Sequence, residues 1–435
     1  MSSCGEVLIR EAFILTMDPA RGDLPSADLY IRDGRIAAVG DVPAAHAAEE
    51  IDGRGMLVLP GLVETHWHMW TTLLRSMSGD RAEHGYFPTS RSLGAHFTPQ
   101  DVYIGTLLSA AEAIHSGTTF VHDWCHNVRG PACAEASLRA LAEAGVRARF
   151  SYGPPANPRG PASVDTRDLA RLARRWSDYA NGGLLSLGLA WRSPGQGAIS
   201  DIARTEHEAA RGLGLPISVH ANNFPSAAGG IAALAREGFL GPELQVIHAI
   251  WTTPAEIEAL AQSGTAVSLS PFTEMRFGFG MPTTCELLDA GVCVGLSVDT
   301  PALSGNADMF GIMKAIQNIA NARAHSEYRL PARRVLELAT IEGARSMGLQ
   351  DEIGSLVPGK RADLIMVDTR HINLAVLTEP AHMLVEAVQP ANVDTVIIDG
   401  RIVKRAGRLT ALDAGRIVDE AREANQGLRE RAGWW

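Results

Sequence analysis

Two histidines one residue apart, His66-Trp67-His68, close an apolar run that begins at Leu62. On an extended strand alternate residues share a face, so both imidazoles can point at one ion while Trp67 turns away. With 14 histidines in the chain, roughly 0.4 such pairs arise by chance, and the triplet alone is weak. Its weight comes from others placed like it. His220 ends Ile217-Ser218-Val219-His220, His248 ends Gln245-Val246-Ile247-His248, and Asp299 ends Gly295-Leu296-Ser297-Val298-Asp299. Any one of them alone reads as a hydrogen-bonded structural residue. An ionisable group at the end of an apolar run needs a partner, and here several recur. Imidazoles with one carboxylate suit a divalent cation with room left for water.

The elements that must bring these residues together are legible as periodicity. Short apolar runs recur at Leu62–Thr65, Thr118–Trp124, Arg147–Tyr152, Leu184–Ala190, Ile217–Ala221, Leu244–Ile250, Thr265–Ser270 and Cys293–Val298. Between them lie helix-like stretches: Asp101–His115, Ala134–Ala144, Asp168–Ala180, Asp201–Gly212 and Pro254–Ser263. Continuous apolar strands spaced by helices mark a parallel sheet buried on both faces. Eight such units predict an α/β fold, a (β/α)8 TIM-like barrel, with an open doubly wound sheet as the alternative. The ionisable residues then share the C-terminal ends of strands one, five, six and eight, where a barrel builds its site. Two long connections, Trp70 to about Pro99 and Gly153–Ser163, belong over the same mouth.

Both ends of the chain read as β-structure. Val7–Thr16, Asp28–Ile31, Arg35–Val39 and Met56–Leu59 are separated by Asp33-Gly34, Gly40-Asp41 and Asp52-Gly53, and similar material returns at Asp363–Asp368 and Val393–Ile398. The expectation is one small β-sandwich domain built from both termini (residues 1–59 and 353–420), a barrel domain over 60–352, and a C-terminal tail over 421–435.

Composition narrows the function. Of 435 residues 46% are hydrophobic and 20% charged, which is too apolar for disorder. The balance of 39 basic to 49 acidic residues, without charge blocks, argues against a nucleic-acid groove or an anionic membrane surface. Cys4, Cys125, Cys133, Cys285 and Cys293 form no C-x-x-C pair, and the first residues, MSSCGEVLIREAF, carry no apolar signal segment. No run reaches the roughly 18 apolar residues of a membrane helix. A cytoplasmic protein is expected.

The segments PGLVETHWH, SVHA, VIHA, LSVD and the late GSLVPGKRADLIMVD, spread over nearly the whole chain, together resemble the amidohydrolase superfamily. The nearer resemblance is to the branch of cytosine deaminase-like, guanine deaminase-like and triazine-hydrolysing enzymes. It implies one divalent ion, Zn²⁺ or Fe²⁺, held by His66, His68, His220 and Asp299, with His248 beside the attacking water, and a homo-oligomer such as a dimer. Two-metal members carry a carboxylated lysine on the fourth strand. The lysines here are Lys314, Lys360 and Lys404, none of them in Leu184–Ala190, which argues for one metal.

One position departs from the branch. Deaminases of this kind place a glutamate three residues after the fifth-strand histidine, where this chain has Asn223. An amide hydrogen-bonds a substrate but is no general acid. Glu274, just past the seventh strand, either reaches the mouth as a replacement or is a solvated loop carboxylate. His122, Asp123 and His126 follow the second strand as wall residues. Trp67, Trp70, Phe272, Met275 and Phe277 would suit a flat apolar substrate, or simply pack.

The strand-end positions and the resemblance together predict a hydrolase of non-peptide C–N bonds in a small cyclic or heteroaromatic molecule. Hydroxide generated at the ion attacks a trigonal carbon. Asp299 serves as base, His248 and Glu274 join it as catalytic groups, and Asn223, Trp70, His126 and Phe272 hold substrate. The Asn223 departure favours amide, urea or carbamate hydrolysis. Deamination of an aminated N-heterocycle (purine, pyrimidine, pterin or triazine) follows closely, and loss of halide more distantly. A non-catalytic barrel scaffold is the reading from another class.

Overall fold

The computed structural model describes residues 5–42, 47, 49–156, 163–194 and 197–434. Residues 157–162 of the expected mouth loop, Cys4 and the first three residues lie outside them. The chain divides into two compact units, residues 65–112, 121–307 and 413–435 in one, and 1–64, 113–120 and 308–412 in the other.

Eight parallel strands follow one another around a nearly closed barrel: Leu62–Trp67, Thr118–Cys125, Arg147–Tyr152, Leu185–Trp191, Ile217–Ala221, Leu244–His248, Ala266–Leu269 and Val294–Leu296. All lie within two residues of the sequence expectation at each end; in the sixth, the two residues after His248 have left the strand. The ring closes where Trp67 meets Asp299 in a parallel bridge, with the Asp299 amide donating to the His66 carbonyl at 2.9 Å and the His68 amide to the Asp299 carbonyl at 2.7 Å. The ends of strands one and eight are thereby tied together at the residues meant to do chemistry.

Below that rim the barrel interior is not purely apolar. Thr65 Oγ1 lies 2.8 Å from Ser268 Oγ and donates to the Leu296 carbonyl at 2.9 Å, while Ser297 Oγ lies 2.7 Å from Ser270 Oγ and 2.9 Å from Ser268 Oγ. His122 spans Ser151 Oγ and the Thr65 carbonyl, both at 2.8 Å. Every buried hydroxyl in this layer has a partner, so the layer is rigid.

The helices depart from expectation at a few points. The stretch expected as helix over Asp168–Ala180 is helical over Thr166–Arg174 and then breaks into single turns. The connection after strand one is ordered, with a short helix at Tyr86–Gly94. The C-terminal segment is no tail. Ala414–Ala432 is one 19-residue helix, capped by Asp413 on the Arg416 amide. Asn425 donates to the Leu73 carbonyl at 2.6 Å, Arg416 pairs with Glu143 at 3.1 Å and Arg431 with Asp101 at 2.5 Å. Only the fold shows that these polar side chains fasten a helix.

In the other unit, strands from both termini form one continuous nine-stranded, mostly antiparallel sheet. Leu364–Asp368 pairs with Met56–Pro60, and Val7–Leu15 pairs with Asp23–Arg32. Residues from its two halves, among them Ile9, Ile31, Ile36, Leu364, Met366 and Ile397, share one buried core. That common core is why neither terminus forms the domain alone.

Candidate active site

The strand register dictates which side chains meet. Strands five and six pair with His220 opposite Ile247 and Ala221 opposite His248, so the two histidines stand one step apart along neighbouring strands. His248 and Asp299 then take left-handed backbone angles, φ 77° and 63°. Such conformations cost about 1–3 kcal/mol for a non-glycine residue and persist only where surrounding structure enforces them. For Asp299 the enforcing contacts are the two hydrogen bonds to strand one.

The result is a cluster. Asp299 Oδ1 lies 3.3 Å from Nε2 of both His66 and His68, and His220 Nε2 lies 3.2 Å from His66 Nε2. The donor atoms of the three histidines lie within 4.8 Å of one another. Donors held about 2.1 Å from a common tetrahedral centre would stand roughly 3.4 Å apart, so the spacing fits one cation of zinc size. The chemistry of the donors fits as well. Burial and the neighbouring imidazoles push His66, His68 and His220 well below the ordinary histidine range, which keeps them neutral with lone pairs available. His68 Nδ1 donates to the Trp124 carbonyl at 2.9 Å, leaving Nε2 to face the centre. Burial raises the Asp299 carboxyl to about 6, against the opposing pull of His248 and His126. The set His66, His68, His220 and Asp299 is brought together as expected.

His248 stands beside this centre, Nε2 3.9 Å from Asp299 Oδ2, and its Nδ1 lies 3.1 Å from Glu274 Oε1. Glu274 also accepts the Ser270 amide at 2.8 Å and is wholly buried, and that burial raises its carboxyl despite the hydrogen bond from His248. Neither alternative offered for Glu274 holds. It does not reach the mouth, and it is no solvated loop group. It sits behind His248 because Pro271–Phe277 is a helix whose first turn folds back on the strand end.

Above the cluster opens a cavity of about 270 Å³. His126 and Asn223 line it, as expected, together with Trp124, Phe277, Phe279 and Tyr86. Trp70 and Phe272 do not. Trp70 is buried behind His126, its Nε1 donating to His126 Nδ1 at 3.4 Å and its ring against Phe97. Phe272 lies five residues before Phe277 on one helix, about 140° around the axis, so only one of them can face the cavity. Read as a loop, the segment gave no means to choose. His122 and Asp123 also leave the mouth, because strand two runs on to Cys125. Alternation sends His122 into the hydroxyl layer and turns Asp123 outward to Ser137 Oγ at 2.7 Å. Sequence reasoning missed Tyr86 and Phe279, which no periodicity marked.

Three comparisons bear on the chain. The amidohydrolase family model matches residues 57–403. The 5'-deoxyadenosine deaminase of Methanosarcina acetivorans is 31% identical over 443 residues, covering 98% of this chain and 99% of the relative. The 5-methylthioadenosine/S-adenosylhomocysteine deaminase of Syntrophobacter fumaroxidans is 30% identical over 446 residues, 97% of this chain and 98% of the relative. Among solved structures, a zinc-bound adenosine deaminase from Xanthomonas campestris superposes with a TM-score of 0.85 at 25% identity, covering 98% of each chain. A zinc-complexed atrazine chlorohydrolase from Arthrobacter aurescens shares the fold, with a TM-score of 0.84 at 21% identity over 96% of this chain and all of that one.

Proposed function

Because the chain belongs to the amidohydrolase family, a family of metal-dependent hydrolases acting on C–N bonds, we propose that it is a hydrolytic deaminase of an aminated N-heterocycle. The reaction is C–NH2 + H2O → C=O + NH3. The observation that carries this reading is the neutral three-histidine and one-carboxylate cluster under an aromatic-walled cavity of about 270 Å³, a volume that admits a small flat ring. His66, His68, His220 and Asp299 would hold zinc, a cation suited to an imidazole-rich donor set and present in the solved relatives. A divalent cation at such donors lowers the pKa of water towards about 7.

The chain's own residues supply the rest. Asp299 presents its second oxygen towards His248, so a proton leaving the attacking water has two adjacent acceptors. Glu274 fixes the His248 tautomer through Nδ1, which keeps Nε2 facing the cavity and stabilises the imidazolium once it is charged. His248 with Glu274 can thus supply a proton to the substrate, at the ring nitrogen in place of the acid missing at Asn223 or at the departing amine. Trp124, Phe277 and Phe279 exclude water from the ring faces.

The test is ammonia release by zinc-loaded protein from aminopurines and their nucleosides, aminopyrimidines and pterins. Turnover of at least one class is expected, lost on chelation and restored by zinc. Asn223 favours a second reading, hydrolysis of a cyclic amide or urea, because such a substrate needs no ring-nitrogen acid. Ring opening of cyclic amides without ammonia from any amine in the panel would replace the first reading with the second.

A further inference from the structure

The Tyr86 side chain enters the cavity from the helix Tyr86–Gly94 in the connection after strand one. Its ring is fixed among aromatic neighbours, with centroids 5.5 Å from Phe87 and 5.9 Å from Phe277. Its hydroxyl oxygen is buried and closes no hydrogen bond among the described residues. Thr300 is its polar neighbour and pulls weakly on the phenol, in a contact that falls short of hydrogen-bond geometry, and Asp299 stands nearby. The Thr300 hydroxyl, however, is already engaged by Thr71 Oγ1 at 2.7 Å and by the Ala302 amide at 3.3 Å. Leaving a buried hydroxyl unmatched costs about 1–3 kcal/mol, so a phenol held this way implies a partner supplied by something that enters the cavity. A tyrosine phenol, with an ordinary pKa of about 10, keeps its proton at neutral pH, so it is a donor and not a base.

Resting on the deaminase reading above, we propose that Tyr86 is a specificity-determining residue that donates its O–H to an acceptor on the substrate ring, so the preferred substrate is an aminated heterocycle that also carries an oxo group or an unprotonated ring nitrogen on the Tyr86 side. Asn223 lines the same cavity and offers an amide N–H of its own. A site with two neutral donors and no carboxylic acid at residue 223 suits a ring whose acceptors are hydrogen-bonded rather than protonated. A site built to bond a substrate group rejects the analogue lacking it, because its own polar atom is then left bare.

The experiment compares Tyr86→Phe with the parent protein, both zinc-loaded, on matched pairs of heterocycles that differ only in one ring acceptor, such as an aminopurine and its deaza analogue, in which one ring nitrogen is replaced by C–H. Calorimetry reads binding and ammonia release reads turnover. Tyr86→Phe removes one oxygen whose contact with Thr300 falls short of hydrogen-bond geometry, so a nearly unchanged Tm is expected and serves as the folding control. The expected result is a loss of about 10- to 100-fold in affinity for the acceptor-bearing member and under 3-fold for the other. Equal change on both members, or no measurable binding of either by the parent protein, overturns the proposal. Binding discrimination without ammonia from any member leaves Tyr86 as the reader of the ring and overturns the deaminase reading instead.

Discussion

At the scale of the residue, the site depends on which partners fill each hydrogen-bonding position. Glu274 touches no cavity, yet it decides which nitrogen of His248 faces the reaction. Glu274→Gln retains an acceptor for Nδ1–H but removes the charge that stabilises the imidazolium. We expect kcat to fall about 10- to 100-fold with zinc content unchanged by elemental analysis. A loss of zinc in this variant would move Glu274 from proton management to metal retention. Asp299→Asn acts more directly, removing both a donor to the ion and a proton acceptor, and should lower kcat/KM by at least about 10³-fold. Near-parent ammonia release from that variant would exclude Asp299 from the chemistry.

At the scale of the element, the strand ends are crowded as well as strained. Gly153, at the end of strand three, would place a Cβ only 2.5 Å from the Cys125 carbonyl oxygen, 3.0 Å from His126 Cα and 3.1 Å from Ala190 Cβ. Its amide also donates to the Cys125 carbonyl at 2.9 Å. Strands two and three therefore approach as closely as a glycine allows, and this approach sets the position of His126. Gly153→Ala is expected to destabilise by about 1–3 kcal/mol by overpacking and to lower turnover through the displaced His126. Thermal unfolding and ammonia release would show both losses, and a variant with parental Tm would mean the strands have slack. The same element explains the errors at Phe272 and Asp123. Each was expected at the mouth, and each lies on a regular helix or strand whose periodicity turns it elsewhere.

At the scale of the whole molecule, stability is coupled to acidity through a group remote from the cluster. Asp123 is fully buried on strand two, and burial pushes its carboxyl up to about 7, with the Ser137 hydroxyl bond opposing. The folded state therefore holds this proton more tightly than the unfolded chain, whose carboxyl titrates near 4. The stabilisation is complete below pH 4 and is lost as the pH rises through about 7. Asp123→Asn cannot lose a proton there, so its stability relative to the parent should climb between pH 5 and pH 8, by an amount on the order of 1–3 kcal/mol, read as a rising difference in Tm. A difference in Tm that stays flat across that range would show that Asp123 is ionised in the fold.

Local pattern determined much of this protein. Period-two and period-3.6 apolarity located all eight barrel strands and most of the helices. Polar residues ending apolar runs singled out His66, His68, His220, His248 and Asp299, because burying such groups is costly unless they converge. What a linear pattern cannot carry is direction after a strand ends, or the partner of a side chain hundreds of residues away. Glu274 behind His248, Trp70 behind His126, Tyr86 in the cavity and the C-terminal helix against Leu73 and Asp101 were decided by tertiary packing. Each depends on where other elements come to rest, and hydrogen-bond geometry selects among those contacts within a few tenths of an ångström.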